Sequence, residues 1–115
     1  MRIIAGPCQH EGLAQSAEIA KECKRVCDKY GIEYYFKASY DKANRSSMQG
    51  KRGMGMEATL TDFLALKVTL GVKTLTDVHD YVQIARIERE FKDAVDVYQI
   101  PAFLCRQTDL IKAAC

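Results

Sequence analysis

Between Lys37 and Ser47 the chain reads Lys-Ala-Ser-Tyr-Asp-Lys-Ala-Asn-Arg-Ser-Ser, so Lys37, Lys42 and Arg45 share one short polar stretch with Asn44, Ser46 and Ser47. Ammonium and guanidinium groups flanked by hydroxyls and an amide offer charge-assisted donors to small, multiply charged anions, phosphates and carboxylates above all. Lys42 suits a carboxylate, or a carbonyl to be polarised, and Arg45 with Ser46 suits a phosphate gripped bidentately. The competing reading is a solvated basic loop. Lys37 weighs against it, because this lysine closes an otherwise hydrophobic run, where a surface lysine is out of place. The stretch has no Gly-x-x-x-x-Gly-Lys-Ser/Thr order, and Gly50, Gly53 and Gly55 do not directly follow a strand pattern, which argues against a nucleotide phosphate loop.

Three further groups of residues have chemistry to offer. Cys8 follows Gly6-Pro7 beside Gln9, His10 and Glu11. A thiolate there is a ligand for a soft or borderline divalent ion, or else an incidental thiol; His10 and Glu11 stand too close in sequence to converge on the same ion. Asp77 and His79 alternate at the end of an apolar run and so point the same way, toward hydroxyl recognition or proton transfer, or toward each other as a structural pair. Gln99-Ile-Pro-Ala-Phe-Leu-Cys-Arg106 ends the last apolar run with an amide, an aromatic wall at Phe103 and an arginine. Arg106 suits a second anion, a helix cap, or a pair with Asp109. Cys23 and Cys27, four apart, lie on an apolar helical stripe with Ala17, Ala20 and Tyr30, where free cysteine packs as a small hydrophobe.

The elements that must position these groups alternate. Arg2–Ala5 is a short strand stopped by Gly6-Pro7. Residues 13–30 carry apolar positions at helical spacing, and Gly31 closes that helix. Ile32–Lys37 is the second strand, 39–55 a long polar loop, and Met56–Leu70 a helix with Met56, Leu60, Phe63 and Leu64 on one face and Gly71 as its stop. Val72–Thr76 is the third strand. Residues 80–91 form a third helix with Tyr81, Ile84, Ala85 and Phe91 at core spacing. Ala94–Ile100 is the fourth strand, closed by Pro101, and Thr108 or Asp109 caps a final short helix. Alternating β and α units predict a parallel sheet with helices outside and right-handed crossovers. Every polar group singled out above then falls at the C-terminal end of a strand, where (β/α)8 barrels and open α/β sheets carry their chemistry.

Composition narrows the partners. The 115 residues suit a single domain. At 48% hydrophobic and 28% charged, the chain has the balance of a globular protein. A formal net charge of +2 gives little support to a nucleic-acid or membrane-surface role. No apolar run approaches the ~20 residues of a membrane span, and the N-terminus is too soon interrupted by Gly-Pro for a signal peptide. Five cysteines, an odd count without a secretory signal, read as reduced thiols. The expected location is the cytoplasm.

Taken in order, Ala5-Gly-Pro-Cys8, Phe36-Lys-Ala-Ser-Tyr-Asp-Lys-Ala-Asn-Arg-Ser-Ser47, Thr76-Asp-Val-His79 and Gln99-Ile-Pro-Ala-Phe-Leu-Cys-Arg-Gln-Thr-Asp109 closely resemble the 3-deoxy-D-manno-octulosonate 8-phosphate synthases. The sister family, the 3-deoxy-D-arabino-heptulosonate 7-phosphate synthases, shares the Ala-Gly-Pro-Cys start. It typically has Lys-Pro-Arg-Thr-Ser in the second-strand loop, which makes it the weaker match. The resemblance covers the whole chain but only about the first half of the family's barrel, so the expected fold is α/β: the first four βα units of a (β/α)8 TIM barrel, residues 1–115 forming its N-terminal half. The loop after Ser47 departs from the family, reading Met-Gln-Gly-Lys-Arg-Gly-Met-Gly-Met where Ile-His-Ser-x-Arg-Gly-x-Gly-Leu is typical.

The resemblance implies a reaction: phosphoenolpyruvate condenses with arabinose 5-phosphate on the route to the inner-core sugar of lipopolysaccharide. It implies Lys42, Asn44 and Asp77 as catalytic residues. Lys37 and Lys42 would contact phosphoenolpyruvate, with Lys42 also near the aldehyde. Asn44 would orient the sugar, and Arg45 and Ser46 would hold its phosphate. Gln99 and Phe103 would line the pocket, and Arg106 would reach a sugar phosphate across a subunit interface of a homotetramer. The family divides into members with Cys at the position of Cys8, which depend on a divalent metal, and members with Asn there, which do not; Cys8 is therefore implied as a metal ligand. The remaining family ligands lie on strands five to eight. The chain is accordingly expected to be a fragment with little or no activity alone. The alternatives are a non-catalytic half-barrel that binds sugar phosphates, and a fragment of a heptulosonate synthase.

Overall fold

A computed structural model describes residues 1–42 and 53–115. Four strands, β1 (Arg2–Gln9), β2 (Glu33–Ser39), β3 (Lys73–Asp77) and β4 (Val97–Gln99), alternate with helices α1 (Leu13–Lys29), α2 (Met56–Leu70), α3 (Tyr81–Glu90) and α4 (Thr108–Ala114), with a short 3-10 turn at Ala102–Leu104. The strands are parallel and lie side by side in chain order, β1-β2-β3-β4. This is the layout of the opening βα units of a TIM barrel.

Period-two alternation divides each strand between two faces. On β2 and just beyond it, Tyr34, Phe36, Ala38 and Tyr40 belong to the hydrophobic core under the helices, with Ala20, Leu60, Phe63, Leu66, Ile84 and Ile87. Phe36 and Phe63 meet edge to face with centroids 5.6 Å apart, an arrangement worth about 0.5–1.5 kcal/mol beyond the area it buries. The intervening residues Glu33, Tyr35, Lys37 and Ser39 take the opposite face. The register carries that division across the sheet, pairing Lys37 with Leu75, Leu75 with Val97 and Asp77 with Gln99.

Helix ends follow local chemistry. Gly71 takes the left-handed conformation that α2 needs to stop, at φ 63°, and its N–H returns to the Lys67 carbonyl at 2.9 Å. Asp80 caps α3, its carboxylate accepting from the Gln83 N–H at 2.8 Å.

Several boundaries differ from the sequence-based expectation. β1 does not stop at Ala5 but continues through Gly6-Pro7 to Gln9, with its register shifting between Ala5 and Cys8. A bulge tolerates a proline that has no N–H to give the ladder. Cys8 is in the left-handed region at φ 62°. Gly6 passes so close to β2 that a Cβ would sit 1.9 Å from the Lys37 carbonyl oxygen, so no side chain fits there. β2 runs on to Ser39, leaving Lys37 inside the strand rather than at its end. β4 is only Val97–Gln99, because the residues before it are spent closing a turn. Ala94 is buried and its carbonyl accepts from the Thr74 hydroxyl at 2.6 Å, while the Asp96 carboxylate takes the Thr74 N–H at 2.7 Å and Lys67 at 2.8 Å. On α3 the buried positions are Ile84 and Ile87, whereas Tyr81 and Ala85 are exposed. Thr108 and Asp109 are the first residues of α4 rather than its cap; the cap position is Gln107, without a side-chain bond.

At the N-terminal end of the sheet, Glu33 collects three donors: Lys73 at 2.6 Å, Arg2 at 2.7 Å and the Tyr35 hydroxyl at 3.0 Å. The bond from Lys73, then those from Tyr35 and Arg2, hold its carboxyl down at about 2. A carboxyl depressed on folding adds stability above its ordinary range and loses it as pH falls toward the folded value. The unfolding midpoint in urea should therefore fall as pH is lowered from about 4.5 to about 2, and Glu33→Gln should flatten that part of the profile. Identical profiles for parent and variant would show that the cluster is screened away by solvent.

Candidate functional site

The C-terminal ends of β2, β3 and β4 surround a cavity of about 280 Å³ lined by Lys37, Lys42, Asp77, His79, Gln99 and Phe103, with Pro101 and Ala102. The strand register brings them together: Lys37 sits on the same face as Ser39, and Asp77 pairs with Gln99 one strand over.

Ser39 organises the charges. Its hydroxyl, fully buried, donates to Asp77 Oδ1 and accepts from Lys42 Nζ at 2.7 Å. His79 Nε2 stands 3.2 Å from the other Asp77 oxygen. Burial by itself pushes the Asp77 carboxyl up. The hydrogen bonds from Ser39, the backbone N–H and His79, with the charge of Lys37, outweigh burial and leave it below its ordinary value. Asp77 is thus a carboxylate that only accepts, and among the described residues the cavity presents two ammonium groups against one fixed anion. Such a chamber favours a ligand carrying further negative charge, with Gln99 and Phe103 to supply an amide contact and an apolar wall.

A larger cavity of about 460 Å³ lies between Tyr40, Gly55, Met56, Val82, Gln83 and Arg86. Among the described residues its charges are Asp41, Asp80 and Arg86, two anions to one cation, a balance less suited to a phosphate than that of the smaller cavity. Size alone does not mark the functional site.

Of the residues expected from the sequence, Lys37, Lys42, Asp77, Gln99 and Phe103 meet at the smaller cavity. Asn44, Arg45 and Ser46 lie outside the described residues. Arg106 is exposed beyond the 3-10 turn and does not line the cavity. Cys8 is exposed on β1 and does not line it either. His10 turns away into the helix layer, fully buried, with Nε2 2.7 Å from Asp62 and Nδ1 3.0 Å from the Ser16 hydroxyl. Cys23 and Cys27 are free and pack against or within the core, as the apolar stripe suggested. The bridging part of Ser39 has no signal in its residue type, although its position two residues after Lys37 places it on the same strand face.

The chemistry of the donor set bears on a divalent metal. Cys8 offers one accessible thiol, but among the described residues no three His, Cys, Asp or Glu side chains form a metal-binding group. Residues 43–52 contain no residue of those types. The described residues do not by themselves make a metal site.

Over residues 1–115 the chain matches the DAHP synthetase I family. It is 50% identical over 114 residues to a protein of Chelativorans sp. strain BNC1, 49% identical to one of Methylobacterium radiotolerans and 47% identical to one of Rhodopseudomonas palustris strain TIE-1, each named 2-dehydro-3-deoxyphosphooctonate aldolase. Each similarity covers 99% of this chain and 40%, 39% and 38% of the relative, respectively. The chain thus spans about two fifths of the length of the curated relatives it matches. No helix among the described residues is long and apolar enough to cross a membrane.

Ser39→Ala removes the bridge between Lys42 and Asp77 at a buried position. It should cost about 1–3 kcal/mol in unfolding free energy and raise the Asp77 carboxyl toward its ordinary value, as read by carbon NMR of the side-chain carboxyls. An unchanged Asp77 titration in a folded variant would mean that Ser39 does not hold the carboxylate.

Proposed function

This chain belongs to the DAHP synthetase I family, and from that premise we propose that residues 1–115 form the first half of the barrel domain of a 3-deoxy-D-manno-octulosonate 8-phosphate synthase. The reaction proposed is the condensation of phosphoenolpyruvate with arabinose 5-phosphate and water, giving 3-deoxy-D-manno-octulosonate 8-phosphate and phosphate for lipopolysaccharide synthesis in the cytoplasm. The observation that carries the proposal is the meeting of Lys37, Lys42, Asp77, Gln99 and Phe103 around one cavity at the strand ends. The names of the curated relatives support the octulosonate reaction over the heptulosonate one.

In this reading Lys37 and Lys42 receive the carboxylate and phosphate of phosphoenolpyruvate, and Lys42 also polarises the aldehyde of the sugar. The methylene carbon of phosphoenolpyruvate forms a bond to the aldehyde carbon, whose oxygen takes up a proton. Water adds to the neighbouring alkene carbon, and phosphate leaves by cleavage of its C–O bond. Asp77, held as a carboxylate by Ser39, accepts from substrate hydroxyls. Asn44, Arg45 and Ser46 orient the sugar and hold its phosphate, Gln99 and Phe103 wall the pocket, and Arg106 meets a sugar phosphate in a homotetramer. Cys8 would offer one sulfur ligand to a divalent ion, if further donors completed a site that the described residues do not make by themselves.

Two assays test the proposal. The 115-residue chain alone should release phosphate from the two substrates at background rate, with or without divalent metal, since it spans only about two fifths of the length of the relatives that carry the reaction's name. A chimera in which residues 1–115 replace the matching segment of the Chelativorans relative should turn over with arabinose 5-phosphate, and Lys42→Ala in that chimera should lower kcat by about 10²–10³. A folded chimera that prefers erythrose 4-phosphate, or that is indifferent to Lys42→Ala, would overturn the assignment.

A further inference from the structure

Ser39 joins β2 to β3 from the cavity side, and a second junction lies directly behind it. Gln83, in the first turn of α3, accepts two hydrogen bonds on one oxygen: from the Tyr40 hydroxyl at 2.6 Å and from the backbone N–H of His79 at 2.7 Å. Both lone pairs of that oxygen are used. The Gln83 backbone N–H is occupied by Asp80 at 2.8 Å, so the residue is held from its own helix as well. Tyr40 is only 2% exposed, and its ring lies 6.2 Å from that of His79. Burial first, then the carboxylates of Asp77, Asp80 and Asp41, push the Tyr40 phenol up, so it remains a donor.

The two junctions use neighbouring residues on opposite faces. Ser39 and Tyr40 follow each other at the end of β2, and Asp77 and His79 frame Val78 at the end of β3. Val78 itself is locked by its N–H to the Gln99 carbonyl at 3.1 Å. Gln83 also lines the 460 Å³ cavity while His79 lines the 280 Å³ one, so the bond between them joins a residue of each cavity. His79 approaches Asp77 through Nε2, and its Nδ1 is buried without a partner among the described residues. Among those residues the ring has one polar anchor, and its aim depends on how the backbone at residue 79 is held.

We propose that Gln83 is a positioning residue for the candidate site, whose single side-chain oxygen ties the ends of β2 and β3 together and so fixes His79 Nε2 against Asp77. Its dependence on the proposed synthase reading goes no further than regarding the Asp77 cavity as the site, and the readout below does not involve synthase activity. A failed chimera would sink the reaction and leave this positioning intact, and the converse also holds.

The test is nitrogen NMR of the His79 ring in the 115-residue chain. In the parent, the tautomer with the proton on Nε2 should dominate, because that proton is donated to Asp77. Gln83→Met keeps the volume but removes the acceptor, and should shift the tautomer ratio at His79 several-fold toward Nδ1–H. Tyr40→Phe removes one donor but leaves the His79 N–H bond, and should keep the parental ratio while lowering the melting temperature. A folded Gln83→Met variant with the parental ratio would reduce Gln83 to a packing residue and overturn the proposal. Should that variant not fold, hydrogen exchange of the parent decides. Protection of the His79 amide comparable to that of Val78 is expected, and exchange at the unprotected rate would overturn the proposal.

Discussion

Parallel pairing in register, with side chains alternating at a period of two, is the constraint from which the rest of this structure follows. Once Lys37 is opposite Leu75 and Asp77 opposite Gln99, every second residue on each strand is committed to one face. A slip of one residue on β2 would carry Lys37 and Ser39 under the helices and bring Phe36 and Tyr40 out. The cost of burying an ammonium among Leu60, Phe63 and Leu66 excludes that alternative. The hydrophobic helix face thus sets the register, and the register sets the site.

Charge is distributed along the other face with the same economy. Its N-terminal end carries Arg2, Glu33 and Lys73, paired with one another and partly exposed. Its middle is apolar at Leu75 and Val97. Its C-terminal end carries Lys37, Lys42, Asp77 and His79, and among the described residues the pairing there is indirect: the Asp77 carboxylate is held by Ser39, whose hydroxyl also takes the Lys42 ammonium, while Lys37 acts on Asp77 through its charge. A cluster whose charges cancel stabilises. One that leaves positive charge facing a cavity invites an anionic ligand.

Much of this was legible in the sequence because the signals are local. Met56–Leu70 is bounded by glycines on both sides, and its helix has those ends. The parallel alternation of elements and the gathering of Lys37, Lys42, Asp77, Gln99 and Phe103 follow from periodicity and from the strand-end rule of such folds. What escaped depends on contacts between distant segments. β1 runs through Gly6-Pro7 because a bulge and the Lys37 carbonyl accommodate it, and neither is visible from residues 1–9. β4 is short because Ala94 and Asp96 are committed to Thr74 and Lys67, about 20 to 30 residues away. The part-buried pairing of His10 with Asp62 spans 52 positions and has no local pattern at all. Ser39 and Gln83 are silent in the sequence for a different reason: each works by joining two other groups, and a residue type alone does not announce its neighbours.

We propose the Lys37, Lys42, Asp77 and Gln99 cavity as the place where this chain meets an anionic ligand. Amide chemical-shift mapping during titration with phosphoenolpyruvate tests it most directly, because the two ends of the same sheet face serve as site and control. Shifts concentrated at Lys37, Lys42, Asp77, His79 and Gln99, with Glu33 and Lys73 unmoved, are the expected result. Shifts centred on the Arg2, Glu33 and Lys73 end, or on the Arg86 cavity, would contradict it.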